Sequence, residues 1–173
     1  MAKSVRDVII TTTTEARDTE VAEAAVAFGL KCYRGHPRDL VAQMNGAIKL
    51  HGQPGDLYFR AMSDQPFLDW RSLDTAVSII TANKWDALLP LAVGADPVYG
   101  AGLSPWSARA WAWIESMSSS EEKEHPGMRL RRDLARFDYG LIDLPHWAFR
   151  PYRLEMDTDQ DLLLMNMIWA KWL

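Results

Sequence analysis

The chain has 173 residues, 48% hydrophobic and 24% charged, with a net charge of −4 and a pI near 5.5. That balance fits one globular domain, 1–173, and excludes wholesale disorder. It offers no basic footprint for nucleic acid or anionic membrane, no apolar run long enough to span a bilayer and no secretory signal, so a soluble, cytoplasmic protein is expected.

Val8, Ile9 and Ile10 predict a buried strand over 5–11, ended by the threonines Thr11 to Thr14. A helix is expected over 18–28, apolar at Val21, Ala24, Ala25 and Phe28 and stopped by Gly29. A short strand follows at 30–33 and contains Cys32, the single cysteine. No internal disulfide is therefore possible, and Cys32 reads as a small buried hydrophobe. The turn Arg34-Gly-His-Pro37 leads into a helix over 38–51, and a third strand is expected at 57–62.

The second half continues the alternation with a helix at 72–83 and a strand at 86–93. A loop with three glycines spans 94–102, and a helix is expected at 107–117. After a polar segment come a helix near 128–137, strands near 140–144 and 152–156, and a final helix from Asp159. Strands alternating with helices imply an α/β fold, Rossmann-like, with a mostly parallel sheet and helices on both faces. Eight tryptophans are many for this length, and Trp169 and Trp172 lie on a final helix that is apolar on most sides. Such a helix is either deeply buried or docked against another chain, so a homo-oligomer or a partner chain is expected.

Open α/β sheets bind ligands beyond the carboxyl ends of their strands. Asp64, in Ser63-Asp-Gln-Pro-Phe-Leu-Asp69, follows the third strand, and Asp157, in Asp157-Thr-Asp-Gln-Asp161, follows the last. If those strands are neighbours, the two carboxylates could share Mg²⁺, which is held by one or two carboxylates plus phosphate oxygens. Plainer readings stand beside this one. Thr158 with Asp161 approximates a capping pair, Asp69 can cap the helix after it, and Asp64 can fix the turn before Pro66. The cluster Arg129, Arg131, Arg132 and Arg136 is either a solvated helix face or a phosphate contact.

Thr12-Thr-Thr14, Gly29-Leu-Lys-Cys-Tyr-Arg-Gly35, Arg38-Asp-Leu40 and Ser63-Asp-Gln-Pro-Phe-Leu-Asp69 occur in this order, followed by Glu124-His125 and Arg153-Leu-Glu-Met-Asp-Thr-Asp-Gln-Asp-Leu162. The ordered set resembles the cytidylyltransferases that make CMP-activated sugars, especially the spore-coat polysaccharide and CMP-Kdo synthetase groups. The resemblance covers nearly the whole chain. It implies that Asp64 and Asp157 are catalytic and hold Mg²⁺, that Arg34 lies near the nucleotide or sugar, and that His125 lies near the acceptor sugar. Arg34 can equally be a surface turn residue, and His125 an ordinary exposed histidine. The implied reaction passes CMP from CTP to an acidic or amino sugar and releases pyrophosphate.

Two departures qualify that expectation. The family begins with a strand and a Gly- and Arg-rich loop ending in lysine, which cradles the triphosphate, and no such segment precedes the first strand here. Gln43 stands where the family usually carries arginine. The chain therefore reads as an N-terminally truncated member, weak or inactive alone, with a sheet edge in need of cover. The competing reading is a non-catalytic module of the same fold that binds a sugar, a nucleotide or a protein.

Overall fold

A computed structural model of the chain describes residues 2–91, 105–117, 119, 121–123, 126–144, 146–149 and 153–172. By its internal contacts the chain divides into two compact units. One comprises Lys3–Tyr58 with Trp106–Asp138, the other chiefly Phe59–Pro105 with Tyr139–Leu173.

In the first unit the β-branched run Ile9–Thr13 forms strand β1, which pairs in parallel with β2, Lys31–Gly35. A parallel pair needs a crossover, and helix α1, Thr19–Ala27, supplies it. Gly29 ends α1 with φ +69°, a left-handed conformation, while the Leu30 N–H closes the turn on Ala25 O at 2.9 Å. Helix α2, Leu40–His51, lies against both strands, and Asp39 caps it by accepting the Ala42 N–H at 2.8 Å. Gln43 is buried on α2 and donates to Thr12 O at 2.9 Å, so it fastens α2 to β1. Buried Asn45 likewise donates to Trp111 O at 3.1 Å and ties α2 to helix α4, Ala108–Met117.

Strand β3, Leu57–Tyr58, pairs antiparallel with β5, Trp106–Ser107. The third strand is thus shorter than the expected 57–62, and β5 was not anticipated, because two residues carry no periodic signal. Helix α5, Pro126–Arg132, precedes a single 3₁₀ turn at Leu134–Arg136. Two of its three arginines are already engaged. Buried Glu122 pairs with Arg132 and, at 3.6 Å, with Arg129; Arg129 also meets Asp133 at 2.7 Å. Arg136 lies 4.2 Å over the Trp113 ring, a cation–π contact.

In the second unit, helix α3, Trp70–Asn83, starts at Asp69, whose carboxylate accepts the Arg71 N–H at 3.2 Å and the Ser72 hydroxyl. It buries Leu73, Ala76 and Ile80, the spacing of one helix face. Lys84 closes α3 in the left-handed region at φ 56°, and the Trp85 N–H returns to Ile80 O at 3.1 Å. Strand β4, Ala87–Leu91, starts with three consecutive buried residues, the mark of a strand covered on both sides. It pairs in parallel with β6, Tyr139–Asp143, placing Leu88 opposite Gly140. Full burial of Ile80 and Leu88 stabilises the unit by about 1.5–3 kcal/mol each. A 3₁₀ turn, His146–Phe149, buries Ala148 against Leu144 and Leu154, and helix α6, Asp159–Trp172, completes the described chain.

No strand forms at 153–156, where one was expected; the segment is irregular. Cys32 is half-buried on β2. Among the residues of α6 whose burial is described, only Met165 is buried, whereas Leu163, Met167 and Trp169 are more than half exposed. Among the described residues no helix is long and apolar enough to cross a membrane.

Candidate functional site

Asp64 and Asp157 both belong to the second unit, and a backbone contact draws their segments together. The Met156 N–H donates to the Asp64 carbonyl at 2.9 Å, so Asp157 begins one residue beyond a direct bond to the Asp64 backbone. The two acids differ sharply in their surroundings. Among the described residues Asp64 Oδ1 is buried and has no hydrogen-bond partner, which is costly for a carboxylate oxygen unless something else satisfies it.

Asp157 is exposed, and its carboxylate is paired with Arg153. Nη1 of the same guanidinium donates to both Asp161 oxygens, at 2.9 and 3.0 Å, and its Nε lies 3.6 Å from Glu155. Asp161 closes a reciprocal capping pair with Thr158 at the start of α6. It accepts the Thr158 N–H at 2.9 Å, the Thr158 hydroxyl at 2.8 Å and the Asp157 N–H at 3.1 Å, while its own N–H returns to Thr158 Oγ1 at 3.2 Å. These bonds, the Thr158 hydroxyl first, pull the Asp161 pKa down to about 2. The hydrogen bond to Asp161 in turn raises that of Arg153. The capping duty therefore belongs to Thr158 and Asp161, which leaves the Asp157 side chain outside the cap.

Arg60 is half-buried four residues before Asp64. Burial lowers its pKa, and the charge of Asp64 works in the opposite direction. Among the described residues its guanidinium makes no hydrogen bond or ion pair. The sequence signal for it was a cation inside the otherwise apolar run Leu57-Tyr-Phe-Arg-Ala-Met62, and its importance was missed.

Arg34 sits on β2 in the first unit and spends its donors on the turn after β1. Its Nε reaches Thr13 O at 2.8 Å, and its two terminal nitrogens reach Glu15 O at 2.7 Å and Thr19 Oγ1 at 3.3 Å. That is the geometry of a clamp on the β1–α1 connection. His125 and the glycine-rich loop 94–102 lie outside the described residues. No cluster of three or more His, Cys, Asp or Glu side chains suited to a metal occurs among the described residues. The buried, unpartnered oxygen of Asp64 fits a hard divalent cation, which needs anionic oxygen ligands.

No protein-family profile matches the sequence. The chain is 26% identical over 168 residues to the uncharacterized protein MJ1063 of Methanocaldococcus jannaschii, with 94% of the chain aligned. It spans 65% of that relative's length. Among solved structures, a cytidylyltransferase from Leptospira borgpetersenii superposes with a TM-score of 0.87 at 22% identity, over 100% of this chain and 72% of the other. CMP:2-keto-3-deoxy-manno-octonic acid synthetase, solved with CTP, matches with a TM-score of 0.62 at 14% identity, covering 100% of this chain and 84% of the synthetase. Molybdopterin-guanine dinucleotide biosynthesis protein A from Archaeoglobus fulgidus gives 0.55 at 14% identity, over 89% and 75%. The chain thus has the α/β fold of the cytidylyltransferases, with a partly parallel sheet.

Proposed function

We propose that the chain is a cytidylyl-transfer unit that binds CTP through a divalent cation held by Asp64 and Asp157, and passes CMP to an acidic or amino sugar. The observation that carries this reading is the buried oxygen of Asp64, left without a partner beside the segment that bears Asp157. In the reaction a sugar oxygen forms a bond to the α-phosphorus, the α–β phosphoanhydride breaks, and pyrophosphate leaves. A bound Mg²⁺ would supply charge neutralisation at the phosphate oxygens. The chain's own part is to fix the two acids: the Met156–Asp64 backbone bond joins their segments, and the Thr158–Asp161 cap holds the start of α6 beside Asp157. Fixed charges that need no reorganisation are what lower such a barrier.

The exposed Leu163, Met167 and Trp169 on α6 support a second copy or a partner chain as part of the working assembly. A second reading, a non-catalytic nucleotide- or sugar-binding module, draws support from Arg34, whose donors are committed to the β1–α1 turn. Titration calorimetry with CTP and Mg²⁺ tests the proposal. Binding that disappears in EDTA and in Asp64→Asn is expected. Equal binding by Asp64→Asn would remove the metal site, and tight CTP binding that persists in EDTA would favour the module.

A further inference from the structure

Both acids of the proposed site already have a guanidinium neighbour. Asp157 is paired with Arg153, and Asp64 lies within the electrostatic reach of Arg60. The two arginines are not equivalent. Arg153 is half exposed and shared among Asp157, Asp161 and Glu155, so it can leave Asp157 without abandoning every partner. Arg60 is half-buried and, among the described residues, has no acceptor, so its donors are free to receive an anionic ligand. Guanidinium groups bind phosphate oxygens in paired, planar contacts stronger than neutral hydrogen bonds.

From this arrangement we infer that Arg60 and Arg153 are polyphosphate-binding residues, and that the site accepts its cation together with the nucleotide rather than alone. The inference rests on the metal reading of Asp64 and Asp157 given above. A free divalent cation approaching Asp157 must compete with Arg153 for the carboxylate. A cation carried on a triphosphate brings acceptors for Arg153 and Arg60 at the moment the carboxylate is released. The exchange gives both guanidiniums phosphate acceptors, whereas cation entry alone leaves Arg60 without one.

Mn²⁺ binding followed by the loss of its free electron-spin resonance signal tests this, with CTP, inorganic triphosphate and cytidine as separate probes. Wild type should bind Mn²⁺ weakly alone and at least about tenfold more tightly with CTP or triphosphate, but not with cytidine. Arg153→Gln should bind Mn²⁺ alone several-fold more tightly, yet bind CTP in EDTA roughly tenfold more weakly. Arg60→Gln should weaken CTP in EDTA by a similar factor, and Arg60→Lys should recover only part of the loss. Circular dichroism matching wild type excludes misfolding as the cause, and Arg153→Lys gives a milder variant should Arg153→Gln not fold. The inference is overturned if both Gln variants bind CTP in EDTA within twofold of wild type. It is overturned equally if Arg153→Gln binds Mn²⁺ alone no better than wild type. The metal reading fails separately, if Asp64→Asn leaves Mn²⁺ binding with CTP unchanged.

Discussion

Alanine at Gly140 should destabilise the unit that carries both acids. Gly140 lies in β6 opposite Leu88, and a Cβ added there would stand 1.9 Å from Trp85 Cζ3 and 2.5 Å from Cε3 and Cη2. Neither side can give way cheaply. The Trp85 backbone is fixed by its N–H bond to Ile80 O, and β4 behind Gly140 is fully buried at Ala87 and Leu88. Overpacking of this kind costs about 1–3 kcal/mol, and restricting the unfolded chain returns about 0.4–1 kcal/mol. Mid-range values leave a net loss of about 1.3 kcal/mol, a fall in Tm of about 3–5 °C for a chain of this size. Thermal unfolding followed by far-ultraviolet circular dichroism reads it directly. In a Trp85→Phe background the clashing six-membered ring of the indole is gone, and the cost of Gly140→Ala should shrink to about a third or less. A neutral Gly140→Ala, or an equal cost in both backgrounds, would refute the packing argument.

Other consequences are as concrete. Asp161 titrates near 2 in the folded chain against an ordinary 3.8, so its contribution to stability is complete above about pH 4 and is lost as pH falls towards 2; Asp161→Asn should flatten that part of an acid-unfolding curve, and an unchanged curve would discount the cap. Lys84→Gly should stabilise by about 0.5–1 kcal/mol, because only glycine adopts φ 56° without steric cost, whereas Lys84→Val should destabilise in urea unfolding. The 173 residues contain no Gly-, Arg- and Lys-rich loop to orient a triphosphate, so this polypeptide alone with CTP, Mg²⁺ and acidic or amino sugars should release little pyrophosphate. Turnover within the ordinary range of about 1–10³ per second would show that another element supplies the grip.

Where one residue type dictates one conformation, the sequence was a good guide. The left-handed Gly29 and the Thr158–Asp161 pair announced a helix end and a cap, and both stand as read, whereas the first strand is displaced from the expected 5–11 to Ile9–Thr13: the β-branched threonines extend it instead of ending it, and Val5 and Val8 stay exposed. Features set by long-range partners were not legible. Two-residue β5 exists only through its pairing with β3, and 153–156 looks like a strand in composition but lacks the ladder that would make it one. Asp157 could not be assigned to cap or site from spacing, because the decision rests on which acid Arg153 and the Thr158 hydroxyl choose. Burial without a partner, the feature that singles out Asp64 Oδ1, has no one-dimensional signature at all.

The measurement closest to the central claim is a crystal structure with CTP and Mn²⁺, with the ion located from its anomalous scattering. The account predicts an anomalous peak at coordination distance, about 2.1–2.2 Å, from Asp64 Oδ1 and from an Asp157 oxygen, with phosphate oxygens completing the shell. A peak bound to the triphosphate alone, more than about 4 Å from Asp64, would contradict it.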